Sequence, residues 1–277
     1  MRILVIGDFH GKLPEKLRKK ARTVDLILST GDFGGSDKLL EIIFKNFAEK
    51  LWKKIGKKKS RNLVLEDYNS GKKIINELDS LNKPVYTIFG NWDFISKSNL
   101  ERTAGLNLLK YPELIKRSKN INYWKRGIKK VKELSVLAFG GSVTAGNYTD
   151  KNGFLKNKKR RLMKYVRWNK KETKQIMKHG RKDIDILFAH YPTYGYFDVV
   201  KFKGENPMNG KHVGFRGFTE YIRKYQPKIF ICGHMHEYQG IKKLGKTKII
   251  ATGAAKEGKA VIIDIEKGKV KKIEFLK

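Results

Sequence analysis

Along the chain, short runs of apolar and β-branched residues alternate with longer stretches in which apolar positions return every three or four residues. The runs lie at 3–6, 26–28, 85–89, 136–139, 184–188 and 229–232. Each stops abruptly at glycine or a change to polar character, which predicts buried strands. The stretches at 14–22, 38–55, 72–81, 160–178 and 218–225 carry helical spacing. Strand-helix alternation of this kind predicts an α/β layered fold with helices covering the sheet faces. The C-terminal part changes to a meander, with strands at 248–251, 260–265 and 270–275 separated by turns bearing Gly and Lys. That pattern suits a second sheet or an extended mixed one.

A chain of 277 residues without an internal repeat is expected to form one domain over 1–277. The two most biased segments, 53–61 and 156–182, are dense in Lys and Arg and lack linker composition, so neither marks a boundary. No apolar run approaches the roughly 20 residues that cross a bilayer. The start of the chain lacks the features of a signal peptide, and the single Cys232 lies in an apolar run and suits core packing. A cytoplasmic protein without a membrane partner is expected; the oligomeric state is open. The charge alters this picture: 62 Lys and Arg stand against 27 Asp and Glu, a formal +35. Solvated lysine faces would explain part of it, but acids do not keep pace, which favours anionic partners, nucleic acid included.

Candidate chemistry gathers where the apolar runs end. Asp8 and His10 follow the first run, Asp32 the second, Asn91 the third, His190 the fifth, and His234 and His236 the sixth. The carboxyl ends of strands are where α/β sheets build ligand sites. Carboxylate together with imidazole suits Mn, Fe or Zn, whereas an all-oxygen set would suit Mg or Ca. Seven such residues exceed the needs of one ion. Two ions sharing a bridging carboxylate would use them all, and paired ions roughly 3.5–4 Å apart are a general device for phosphoryl chemistry.

The ordered series Gly7-Asp8-Phe9-His10, Gly31-Asp32, Gly90-Asn91-Trp92-Asp93, His190 and Gly233-His234-Met235-His236 resembles the calcineurin-like metallophosphoesterases. The resemblance runs from Asp8 to Glu237 and implies a four-layer α/β/β/α sandwich of two mixed sheets flanked by helices. It also implies one metal at Asp8, His10, Asp32 and His236, with Asp32 bridging to a second held by Asn91, His190 and His234. Two divalent transition metals are expected, manganese first, with iron, zinc or nickel as alternatives. Asp93 and Glu237 would orient the ligands. The segment Lys211-His212-Val213-Gly214 resembles a loop that borders the substrate in a bacterial and archaeal branch. Asn91, His190 and His212 are then the candidate catalytic residues, and Trp92, His212 and Gly214 the candidate substrate contacts. A solvent-exposed loop histidine is the other reading of His212.

Two departures from the family pattern bear on function. Trp92 occupies the place where the family often has a histidine acting as general acid, and an indole cannot fill that role. A phosphodiester, or a phosphoester with a good leaving group, is therefore the expected substrate, hydrolysed by hydroxide activated at the metal pair. Gly34-Gly35 after Asp32 argues against a Ser/Thr protein phosphatase. The alternatives are a metal-dependent nuclease acting on RNA or DNA, and a non-catalytic, metal-stabilised nucleic-acid-binding protein.

Overall fold

The computed structural model describes residues 1–45, 51–96, 101, 104–141, 149–150, 153–154, 158–201 and 208–277. Two mixed six-stranded sheets pack face to face. The first is ordered β14 (Lys269–Leu276), β13 (Ala260–Glu266), β1 (Arg2–Ile6), β2 (Leu26–Ser29), β3 (Val85–Thr87) and β4 (Ile121–Tyr123). The second is ordered β11 (Gln239–Leu244), β12 (Thr247–Thr252), β10 (Ile229–Cys232), β9 (Ile186–Ala189), β6 (Leu134–Phe139) and β5 (Arg126–Val131). A separate two-stranded pair joins β7 (Thr149–Asp150) to β8 (Gly153–Phe154).

The unbroken apolar runs follow from burial on both faces, because successive side chains of a strand point to opposite sides. Ile3 and Val5 of β1 enter the layer between the sheets, beside Leu26, Leu28, Phe188 and Ile231. Leu4 and Ile6 face the other way, onto Leu17 of α1 (Glu15–Ala21) and Ile74 and Leu78 of α4 (Lys57–Asp79). On the outer side of the second sheet, Leu187 and Phe230 meet Ile176 of α6 (Lys158–Met177) and Phe218, Tyr221 and Ile222 of α7 (Arg216–Tyr225). The result is the α/β/β/α sandwich. Shorter helices α2 (Asp37–Lys45), α3 (Leu51–Ile55) and α5 (Tyr111–Ile115) complete the set among the described residues.

Of the stretch expected to be helical at 38–55, residues 38–45 lie in α2 and 51–55 in α3, and 46–50 lie outside the described residues. Two expectations need correction. The helix expected at 72–81 begins at Lys57, so the basic segment 53–61 spans the end of α3 and the first turn of α4. The C-terminal strands are not one meander: β11 and β12 form an antiparallel pair in the second sheet, β13 and β14 another in the first. The chain crosses between the sheets at 253–259, where Ala255 packs in the core of the first sheet. Cys232 is fully buried beside Ile250, and burial pushes its thiol pKa up, as suits a packing role.

Candidate metal centre

Parallel β1, β2 and β3 in one sheet, and β9 and β10 in the other, bring their carboxyl ends to the same edge of the sandwich. Four residues leave those ends in the left-handed region: Asp8 (φ 55°), His10 (φ 45°), Asp32 (φ 56°) and His234 (φ 69°). Such backbone is costly for residues with a Cβ and concentrates at functional sites. The sharp exits turn side chains from five loops towards one another. Close approach also explains two of the glycines. A Cβ on Gly90 would lie 2.2 Å from Asp32 Oδ1, and one on Gly233 would lie 2.4 Å from Asp8 Oδ2.

Two triads result, Asp8 with His10 and His236, and Asp32 with His190 and His234, each with one donor atom per residue within 4.8 Å of the others. In the first, His10 Nε2 faces His236 Nε2 at 2.8 Å, and His236 Nε2 lies 3.5 Å from Asp8 Oδ1. In the second, His190 Nε2 stands 3.2 Å from His234 Nδ1, 3.4 Å from Asp32 Oδ2 and 2.9 Å from Asn91 Oδ1. Asn91 therefore joins the second group.

The donor set fits divalent cations. At His10, burial and then the charge of His236 push the pKa well below its ordinary value. His234 is pushed down to about 3 by burial and by His190. Both rings are neutral at physiological pH and offer lone pairs. Burial opposes the charge on Asp8, but the hydrogen bond to His236 and the nearby imidazoles keep its carboxyl below the usual range. At Asp32 burial is likewise outweighed, by His190 first. His190 shows the pull of these anions: against burial, Asp32, Asp8 and Asp93 raise it to about 9. Its Nδ1 contacts the Thr30 carbonyl at 2.9 Å, which directs Nε2 into the cluster. His10 Nδ1 is buried with no hydrogen-bond partner. Anionic carboxylates beside the neutral rings of His10 and His234, with nitrogens that converge, are a cation site of mixed oxygen and nitrogen donors.

A family model of calcineurin-like phosphoesterases matches residues 1–238. The chain belongs to that family. An uncharacterised protein of Methanocaldococcus jannaschii is 25% identical over 258 residues, covering 90% of this chain and 87% of its own. A Thermus thermophilus structure superposes with a TM-score of 0.50 at 16% identity, over 99% of this chain and 97% of its own. A dimetal phosphatase from Danio rerio gives 0.52 at 10% identity, over 96% and 93%. These structures share the fold. Family membership together with the two triads indicates a dinuclear metal site in this phosphoesterase.

Around the triads, the phosphoesterase places the other expected residues unevenly. Asp93 is buried and accepts the amides of Asp32 (2.9 Å), Phe33 (2.8 Å) and Gly90 (2.8 Å), so it ties the loop carrying Asp32 to the loop carrying Asn91. Glu237 is exposed and accepts the Lys201 amide at 3.0 Å, so its hydrogen bond secures a neighbouring loop rather than a ligand side chain. The Trp92 amide donates to Asp32 Oδ1 at 2.9 Å, and its indole lies partly buried against the core of the first sheet. His212 stands outside both triads, its Nδ1 2.8 Å from the buried Asp198 carboxylate. Gly214 is buried, with its amide donating to Asp198 Oδ2 and its carbonyl accepting from the Tyr165 hydroxyl.

Two positioning acids escaped the sequence reading. Asp198 carries no local motif around it. Asp67 belongs to α4, far along the chain from the loop that it holds, where its Oδ1 accepts the amides of Gly35 and Ser36. Burial, opposed by those amides, raises Asp67 to about 6. An acid raised on folding favours the folded state at low pH. That benefit is lost as pH climbs from 3.8 to about 6, above which the buried charge costs on the order of 3 kcal/mol. Asp67→Asn keeps an acceptor for both amides and removes the charge. Its Tm should exceed the parent's at about pH 7.5, with the gain shrinking towards about pH 4. A difference independent of pH would rule out the buried charge as its source.

Proposed function

We propose that the chain hydrolyses a phosphodiester, or a phosphoester with a good leaving group, at a metal pair held by Asp8, His10, Asp32, Asn91, His190, His234 and His236. The observation that carries this reading is the pair of converging triads, with Asp32 at their junction: its carboxylate faces His190 in one triad, and its charge also acts on His10 in the other. Bound there, two divalent ions would neutralise the phosphate and lower the pKa of a water molecule. Manganese is our choice of working metal, with iron, zinc and nickel as alternatives. Residues 1–277 act as one domain, since β13 and β14, beyond the family match, complete the sheet that carries Asp8 and Asp32.

The protein's own groups divide the remaining work. Asp93 fixes the spacing of Asp32 and Asn91 through backbone amides. His212, anchored by Asp198, would border the substrate from the loop between β9 and α7. That loop is joined to the β10 exit by Lys201 to Glu237 and by the Tyr238 hydroxyl to the Val199 carbonyl at 2.8 Å. Trp92 contributes a flat wall and no proton. The preference for diesters follows from that missing acid.

A panel of aryl phosphomonoesters, aryl phosphodiesters, cyclic nucleotides and short RNA or DNA, run with added manganese and with chelator, tests the reading. Aryl diesters should turn over in manganese, faster than the matched monoesters, and chelator should abolish the reaction. Equal rates with metal and with chelator would overturn the proposal.

A further inference from the structure

The charge of +35 is not spread evenly over the elements. In α1, Arg18 pairs with Glu15 and Glu77, and Lys20 with Glu274. Helix α6 is far richer in cations: its 20 residues hold nine Lys or Arg and a single acid, Glu172. That acid is buried and paired with Arg126 of β5, so it does not offset the helix surface. Arg160, Lys164, Arg167, Lys171 and Lys174 follow at intervals of four, three, four and three residues, which aligns them in one stripe. All five are exposed. The opposite face packs inward: Trp168 lies 5.1 Å from the Phe215 ring, and Ile176 is in the core. The side chain of Arg161 and residues 156–157 lie outside the described part.

Two further features give the stripe a direction and a flank. The parallel neighbours β6 and β9 are joined through α6, so the helix runs antiparallel to them and begins at the edge where the metal ligands gather. The Tyr165 hydroxyl, donating to Gly214 at 3.0 Å, fastens its first half to the loop that carries His212. Beside the cations stand Met163, 46% exposed, and Val166, 53% exposed, two of the five exposed large apolar side chains among the described residues. A cationic row roughly 20 Å long fits a linear polyanion. Exposed apolar groups beside it fit bases that are not stacked within a duplex.

We propose that this face of α6 binds single-stranded nucleic acid, with the backbone along the stripe and the strand directed towards the metal edge. A membrane surface fits less well, because the face that an interfacial helix would insert is already occupied by the core. Binding is a property of the helix and stands apart from the hydrolytic reading, so it is measured in EDTA.

The test is fluorescence anisotropy of a labelled mixed-sequence RNA of about 20 nucleotides, an ample length for the stripe, with the full chain across a salt series. At roughly 0.7 per phosphate neutralised, five contacts give a slope of log Kd on log salt near 3.5. Arg167→Gln with Lys171→Gln and Lys174→Gln should lower that slope by about 2 and weaken binding at least about tenfold at low salt. The charge-retaining set Arg167→Lys, Lys171→Arg and Lys174→Arg should bind as the parent does, as should Asp32→Asn. Lys243→Gln with Lys246→Gln and Lys269→Gln removes equal charge elsewhere and should leave the slope within about 1 of the parent. An equal loss in that control, tighter binding of duplex RNA, or equally tight binding of phosphatidylserine vesicles would overturn the proposal.

Discussion

Asp32→Asn is expected to reduce the metal bound by manganese-saturated protein from about two ions per chain to fewer than one, and to slow aryl diester hydrolysis on the order of a thousandfold. Loss of a residue that merely orients a ligand costs about 10- to 100-fold. Asp32 should exceed that range, because it stands between the triads and its charge is felt by both His10 and His190. The amide retains an acceptor for the Trp92 backbone, now 2.9 Å from Oδ1, and leaves the three amide bonds to Asp93 untouched. Far-UV circular dichroism should therefore match the parent. Asp93→Asn gives the internal comparison: its amide can no longer accept all three backbone donors with full charge, but every ligand survives, so the loss should fall within the outer range. Elemental analysis that still found two ions in Asp32→Asn would remove Asp32 from the junction. Parent protein binding a single ion would remove the paired site altogether.

What could be read from the chain divides along physical lines. Strands buried on both faces, such as β1 and β10, announce themselves as continuous apolar runs. The edge strands do not: β5 reads Arg-Gly-Ile-Lys-Lys-Val and β11 reads Gln-Gly-Ile-Lys-Lys-Leu, at opposite edges of the second sheet. Lysines there discourage pairing with another chain, and they also mask the strand pattern. The first turns of α4 were hidden in the same way, since Lys57 to Lys59 read as a charge run before they read as a helix start. The site followed a similar rule. Metal-binding candidates stood beside strand ends and in pairs two residues apart, so local pattern sufficed to gather them. Asp67 and Asp198 act through backbone amides and an imidazole brought near only by the tertiary fold, which no local spacing encodes. Glu237 was misleading for the converse reason: it adjoins His236 in the chain, yet its side chain turns outward to Lys201.

The leaving group should expose which residue supplies its proton. With Trp92 in place of an acid, a shallow dependence of rate on leaving-group pKa in the parent requires another donor, and the Asp198–His212 pair is the candidate. Its geometry suits proton donation, since Asp198 accepts the amides of Gly195 at 3.0 Å and Gly214 at 3.2 Å, and its other oxygen meets His212 Nδ1, leaving Nε2 as the outward atom. His212→Ala should therefore slow a phenyl diester on the order of a hundredfold, and a nitrophenyl diester only a few-fold, because general acid assistance is worth about 10²–10⁴ only where the departing oxygen needs it. The Brønsted line steepens in consequence. Asp198→Asn should steepen it less, by loosening the ring without removing it. Introducing Trp92→His into the His212→Ala background should flatten the line again, as the new imidazole follows Asn91 in the chain and its backbone amide already meets Asp32. Metal content should stay constant across all three variants, which separates proton donation from damage to the centre. A line equally steep in parent and His212→Ala would exclude His212 as the acid and leave good leaving groups as the enzyme's intrinsic preference.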